Sequence, residues 1–410
     1  MITRSAGVLS FTSSLVAAGA LLMAAAPAGT QDLRVERVAI LMRHGVRPPT
    51  KDPAMPVGFA RDAWPKWSVT PGYLTERGAK AITLAGRADR AALADLISAG
   101  TCPAVGTVSL YSDSDQRTIA TGDAWAAGFA PGCVITNTHR PQDEPDPDFN
   151  AIEMGIVDYD PAAADAVVKA TLPASGIAAV EASERNNLSR IDAILCGAPS
   201  DTCGVTRKPS GLAPAASNAR PKLTGALDRG STAAQILLLE YADGKPLAEV
   251  GWGHATAADI AALGSLHATE FALLARPGYI AERNLAPIAA RLRDALAPAP
   301  DRPRVTMIVG HDTDIANLGG LLGLHWRIPG FAADDPAPGG AVILSLLRNA
   351  RGARFIRVVY RAQPLDAIRA LTPQVITVPL TIEGCNTLCP RATVERLLGT
   401  ATRHLKTATR

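Results

Sequence analysis

The run Val38-Ala39-Ile40-Leu41-Met42 passes directly into Arg43-His44-Gly45-Val46-Arg47-Pro48-Pro49. An apolar run of this length, bounded by charge and proline, reads as a buried strand. Residues 43–49 then form the loop at that strand's carboxyl end, where open α/β sheets place their ligands. One imidazole and two guanidiniums are delivered to that loop. Arginine offers a planar fork of donors matched to phosphate oxygens, and a neutral histidine is a competent nucleophile. Alone, the motif also suits a solvated surface loop, so its meaning depends on what else reaches the same place.

A second apolar, β-branched run, Val305–Gly310, ends in His311-Asp312-Thr313-Asp314. The residues Ile315–Leu322 read as the start of a helix, with Asp312 or Thr313 as N-cap. A third run, Thr107–Tyr111, is followed by Ser112-Asp113-Ser114-Asp115-Gln116-Arg117 and a helix-like stretch, Thr118–Trp125. The Ser/Asp cluster is a helix-start signal, which sets Arg117 in a first turn, where anions are favoured. If the three strands lie side by side, their ends offer Arg43, His44, Arg47, Arg117, His311 and Asp312 to one crevice. That set is hard to explain as packing.

Around these motifs the chain divides. Residues 33–150 alternate strand-like and helix-like runs and end in a Pro/Asp-rich turn. Residues 151–285 are dominated by Ala-rich helical segments such as Pro161–Ala170 and Ser231–Tyr241, with a Gly/Pro/Ser-rich loop at Gly197–Lys222. Strand patterns return at Ala341–Leu347 and Phe355–Tyr360. The simplest account is an α/β domain built from 33–150 and 286–410, interrupted by a mainly α-helical inserted domain at 151–285.

The first 28 residues read as a secretory signal: a cationic start at Arg4, an apolar stretch from Val8 to Ala26, and the small-residue pattern Ala26-Pro27-Ala28. No later segment is apolar for long enough to span a bilayer, so no membrane association is expected after cleavage. The formal charge of +3, which becomes +3 − 1 = +2 without Arg4, gives no case for a nucleic-acid partner. Six cysteines fit an oxidising compartment. The sequence-local pairing is Cys102–Cys133, Cys196–Cys203 and Cys385–Cys389, one of about 15 pairings that six cysteines permit. None of the cysteine spacings makes a zinc site with His partners.

With R-H-G-x-R-x-P at Arg43–Pro49 and H-D at His311–Asp312, the chain resembles the histidine acid phosphatases, the branch of the histidine phosphatase superfamily that includes bacterial periplasmic phytases and glucose-1-phosphatases. Similarity continues through Asp146–Asn150, Gly251-Trp252-Gly253, Ser265-Leu266-His267, Ala316–Gly320 and Pro338-Gly339-Gly340. The resemblance implies a mixed sheet flanked by helices, with the site in a cleft beside the helical insertion. It implies that His44 attacks phosphorus to form a phosphohistidine, that Arg43, Arg47 and Arg117 hold the phosphoryl oxygens, and that His311 adds a hydrogen bond. Asp312 would protonate the departing alkoxide, which points to an acid optimum. Thr50 and Lys51 match the Thr-Lys of phytases and are candidate substrate contacts. Gln235 stands where some relatives carry an acidic residue. His254, His267 and His325 are read as structural or surface residues.

Asp314 departs from the usual H-D-T-N, and an added carboxylate there would raise the pKa of Asp312 or repel a highly anionic substrate. Related enteric phytases also carry a further disulfide that this chain lacks. The resulting expectation is a monomeric, periplasmic acid phosphomonoesterase without metal or cofactor. Its substrate is a small phosphate monoester: inositol hexakisphosphate first, then glucose 1-phosphate or other sugar phosphates. A metal-dependent phosphohydrolase would need more His and Asp at ligand spacing. A non-catalytic phosphate-binding protein would need the arginines but would have no use for both His44 and Asp312.

Overall fold

The computed structural model describes Met1 and residues 33–97, 100, 102–197 and 202–406. The expected signal segment 1–28 thus lies, Met1 apart, outside the described residues. The strands are β1 Arg34–Arg43, β2 Val108–Ser112, β3 Asn137–Thr138, β4 Gly211–Ala213, β5 Lys222–Thr224, β6 Val305–Gly310, β7 Ala341–Arg348, β8 Arg354–Ala362, β9 Ile376–Leu380 and β10 Cys389–Pro390. The α-helices are α1 Glu76–Ala92, α2 Gln116–Phe129, α3 Pro161–Thr171, α4 Ile177–Ser183, α5 Arg185–Cys196, α6 Ala226–Ala242, α7 Ala257–Leu274, α8 Gly278–Asn284, α9 Ala286–Ala295, α10 Asp312–Leu322, α11 Leu365–Ala370 and α12 Arg391–Thr402.

The fold is α/β, with one mixed sheet in the order β10-β8-β7-β1-β6-β2-β3, and β9 also paired to β8. β1 is central: it runs parallel to β6, with Arg43 opposite Gly310, and antiparallel to β7. β6 is in turn parallel to β2. The carboxyl ends of β1, β6 and β2 therefore lie at one edge of the sheet, as their motifs require.

The unbroken apolar run in β1 has a physical cause, because a strand covered on both faces has no polar face to show. Val38, Ile40 and Met42 pack with Ile82 of α1 and with Trp125 and Phe129 of α2. Ala39 and Leu41 point the other way, into a core with Ile308, Ile315 and Leu318 that continues through the helices α5–α7. A buried ion pair ties the first layer to the sheet. Arg361 on β8 donates to Asp89 on α1 at 2.7 Å, and Trp125 on α2 donates to the same carboxylate at 2.9 Å.

All strands of the main sheet come from residues before 139 or after 304, and α3–α9 lie between them in sequence. The stretch read from sequence as a Gly/Pro/Ser-rich loop carries a small antiparallel hairpin, β4–β5. Its composition concealed strands only three residues long. The three sequence-local disulfides are present, Cys102–Cys133, Cys196–Cys203 and Cys385–Cys389. Among the described residues no helix is long and apolar enough to cross a membrane.

Candidate active site

His44 follows the last residue of β1 and is held by its backbone on three sides. Its N–H donates to Gly310 O at 2.9 Å and its carbonyl accepts from Gly339 N at 3.1 Å. The next N–H, of Gly45, donates to Thr121 Oγ1 on α2 at 3.0 Å. The side chain is buried. Its Nδ1 lies 2.8 Å from Gly45 O, and since a carbonyl only accepts, Nδ1 carries the proton and Nε2 keeps its lone pair. Burial, then Arg47, Arg117, Arg43 and His311, push the imidazole well below its usual range. A ring so placed favours the neutral form and offers Nε2 as a lone-pair donor in a fixed tautomer.

The guanidiniums surround it. Arg43 is fully buried, bonded to Pro336 O, to Gln235 Oε1 at 3.2 Å and to Asp312 Oδ2 at 2.8 Å. Arg47 donates to Pro48 O at 2.9 Å. Burial first, with Arg117 next, pushes Arg47 down to about 9, which still leaves it cationic in acid and at neutrality. Arg117, in the first turn of α2, pairs with Asp115 at 2.5 Å. Each of the three keeps a buried Nε with no hydrogen-bond partner among the described residues. Unsatisfied buried donors are uncommon, and three around one imidazole suit an arriving anion.

His311 stands across from His44, ring centroids 5.6 Å apart. Its Nε2 is 2.6 Å from Asp113 Oδ2 and its Nδ1 is 3.5 Å from Arg117 Nη2. Burial would raise the Asp113 carboxyl, but the hydrogen bond and charge of His311 hold it below the ordinary value. Among the described residues, Asp113, Asp115 and His311 have possible ligand atoms within 4.8 Å of one another. These groups are already paired, His311 with Asp113 and Asp115 with Arg117. The set forms a hydrogen-bonded chain that ends at Arg117.

Six residues inferred from sequence, Arg43, His44, Arg47, Arg117, His311 and Asp312, thus converge. Thr50 and Lys51 sit on an exposed part of the wall. With Arg43, Asp312, Gln235, His267 and Glu270 they line a cavity of about 820 Å³ between the sheet edge and the helices α6 and α7. A second hollow of about 400 Å³, lined by His44, Arg117 and His311, shares Arg47 and Asp312 with it. A hollow of about 940 Å³ at the opposite end of β1 is lined by neither His44 nor Asp312.

The start of α10 differs from its sequence reading. The N-cap of α10 is His311, in extended conformation at φ −118°, and not Asp312 or Thr313. Asp314 occupies the third helical position and accepts the His311 N–H at 2.8 Å. It is buried, and burial pushes its carboxyl up to about 7. Asp312 pairs with Arg43 at 2.8 Å, which favours its ionised form. Burial would raise it, but Arg43, followed by His267, His44 and Arg47, holds it far below the carboxylate range.

Sequence reasoning passed over several residues of the site. Asp113 was seen only as part of a helix-start cluster. His267, read as structural, lines the large cavity and is bound to Asp335 at 2.7 Å. Glu270 beside it accepts from Ser231 at 2.5 Å. The i, i+3 spacing of His267 and Glu270 on α7 was the available signal.

The family model for the histidine phosphatase superfamily (branch 2) matches residues 34–184 and 279–361. Phytase AppA of Escherichia coli strain K12 is 35% identical over 386 residues, covering 86% of this chain and 88% of the relative. A glucose-1-phosphatase of Salmonella typhimurium is 28% identical, covering 94% and 97%. Among solved structures, a Hafnia alvei phytase in complex with myo-inositol hexakis sulphate superposes with a TM-score of 0.81 at 31% identity, over 93% of this chain and 99% of that one. Motif, geometry and likeness agree, and the chain belongs to branch 2 of the histidine phosphatase superfamily as a phytase-like phosphatase.

Proposed function

We propose that this chain is an exported acid phosphomonoesterase that transfers the phosphoryl group of its substrate to His44 and then to water, with inositol hexakisphosphate as preferred substrate. The observation that carries this reading is the neutral, tautomer-fixed imidazole whose free Nε2 faces three guanidiniums with unsatisfied donors. Phosphoryl transfer asks the protein mainly for position and charge stabilisation. Arg43, Arg47 and Arg117 supply both. With Nε2 of His311 taken by Asp113, Nδ1 is the nitrogen left for a phosphoryl oxygen, and it donates only from the doubly protonated ring.

Asp312 is the proton donor to the leaving oxygen. The ion pair with Arg43 favours its ionised form. A bound phosphate competes for that guanidinium and adds negative charge nearby, and both changes favour protonated Asp312. The proton enters with the monoanionic ester or from solvent at acid pH. The same carboxylate then draws a proton from the water that hydrolyses the phosphohistidine.

Two features support a polyphosphorylated substrate. The cavity is wide for a single phosphate, and Lys51 adds a cation at its wall. The likeness to phytases covers nearly the whole chain. Glucose 1-phosphate and other sugar phosphates are the alternative, favoured by the likeness to the Salmonella glucose-1-phosphatase. We assign 33–150 and 286–410 to the catalytic domain and 151–285 to an inserted helical domain whose α6 and α7 form the far wall. Three disulfides suit the periplasm, and we place the protein there as a monomer with no nucleic-acid partner. The test is an alkaline denaturing quench during turnover of labelled phosphate ester. Label on His44, lost in His44→Ala together with activity, is the expected result. Full turnover by His44→Ala would refute the scheme. Comparing kcat/KM for phytate and glucose 1-phosphate decides the substrate.

A further inference from the structure

Behind the cradle lies a buried pair that the reaction proposed above leaves unused. His267 on α7 is bonded through Nδ1 to Asp335 Oδ1 at 2.7 Å, and its ring packs on Phe271 with centroids 4.2 Å apart. Asp335 is fully buried, and its Oδ2 has no partner among the described residues. The pair is joined to the site in two ways. His267 lines the same cavity as Arg43 and Asp312. Asp335 immediately precedes Pro336, whose carbonyl accepts from Arg43, and Arg43 is the partner of Asp312.

We propose that His267, clamped by Asp335, is a positioning residue that sets the proton-transfer step of Asp312 from behind the phosphate cradle. This rests on Asp312 being the donor. Asp312 faces Arg43, Arg47 and His44 from the β1 side and His267 from α7. His267 faces Asp335 and Asp312, with Arg43 opposing, and Glu270 lies one turn along its own helix. Burial would strip the proton from His267, but the charge and hydrogen bond of Asp335, with the charge of Asp312, together outweigh it and raise the imidazole above its ordinary value. The ion pair with Asp335 at 2.7 Å favours the protonated ring, which adds positive charge on the α7 side of Asp312 in addition to the guanidinium. That charge keeps the carboxyl from holding its proton too tightly and makes release to the leaving oxygen easier. Asp335 fixes both this charge and, through Pro336, the reach of Arg43.

The experiment compares wild type with His267→Gln on an alkyl ester, 2-glycerol phosphate, and on 4-nitrophenyl phosphate, whose leaving group needs little protonation. For the alkyl ester the alkaline limb of kcat against pH should move up by about one unit in the variant, because losing a neighbouring cation lets Asp312 stay protonated longer. For the aryl ester it should stay in place. An unmoved limb on both esters, or an equal loss of rate at every pH, would show His267 to be structural and overturn the proposal. A downward shift would overturn it too. If the variant does not fold, histidine titration by NMR in the unmodified protein decides. One buried imidazole still protonated above about pH 6.5 supports the proposal, and its absence removes it. Asp312→Asn on the same two esters separates the levels. If it spares the alkyl ester, the donor assignment falls; if it does not and His267→Gln moves nothing, only the present inference falls.

Discussion

Asp314 illustrates how one side chain serves fold and pH response together. Its carboxylate caps the His311 N–H at 2.8 Å and is buried. With a folded-state pKa of about 7, above the ordinary 3.8, the folded chain holds a proton here that the unfolded chain releases. Between about pH 4 and 7 the folded state binds more protons, so this group's contribution to stability falls as pH rises. Asp314→Asn keeps an acceptor without the buried charge. It is expected to stabilise the protein at pH 7.5 by about 2–4 kcal/mol and hardly at all at pH 4. Urea unfolding at both pH values measures this, and an equal gain at each would contradict the assignment. In the cradle itself, Arg117→Met removes one phosphoryl donor and should lower kcat by about 10²–10³-fold, read in steady-state assays at acid pH. Arg43, His44 and His311 were legible because they abut an apolar run, and Arg47, Arg117 and Asp312 because each follows such a run within a few residues. Asp113 was in plain view but hidden by its neighbours' helix-start pattern, and Gln235 stood out only through the family resemblance.

The elements hold these residues through close approaches that composition does not reveal. α1 and α2 touch backbone to backbone: a Cβ on Gly128 would sit 2.1 Å from Thr83 O, and one on Gly86 would sit 2.4 Å from Trp125 O. Arg117 rides on α2, so this crossing sets its height over the cradle. Gly128→Ala should cost about 1–3 kcal/mol by overpacking, whereas Gly399→Ala, in α12 with nothing within 4 Å, should gain up to about 1 kcal/mol in helix propensity. Denaturant midpoints of the two variants should move in opposite directions, and two equal shifts would show that the crossing is not tight. The strands were readable because burial on both faces leaves an uninterrupted apolar run. The start of α10 was misplaced by one or two residues because His311 is extended and takes the cap position that a carboxylate usually fills.

At the scale of the whole molecule, the site joins segments separated by more than 290 residues, since β1 meets both β6 and the Pro336 turn. Pairings such as His267 with Asp335 arise only once α7 is packed against that turn, so no local pattern could announce them. What locks such distant parts is partly covalent. Cys102–Cys133 spans 31 residues and encloses β2 and α2, and so Arg117. A closed loop of that length restricts the unfolded chain by about 3–4 kcal/mol in the loop-entropy account. Arg117 lies in the first turn of α2, while Cys133 lies beyond its far end, about 20 Å along the axis. Replacing both cysteines by serine should therefore lower the urea midpoint clearly while leaving kcat at 25 °C within about twofold, because a site held by the sheet edge remains assembled as long as the chain is folded. Unfolding and turnover measured on the same preparation test this. A fall in kcat with no fall in midpoint would mean that the bridge shapes the cradle directly instead of restraining the unfolded chain.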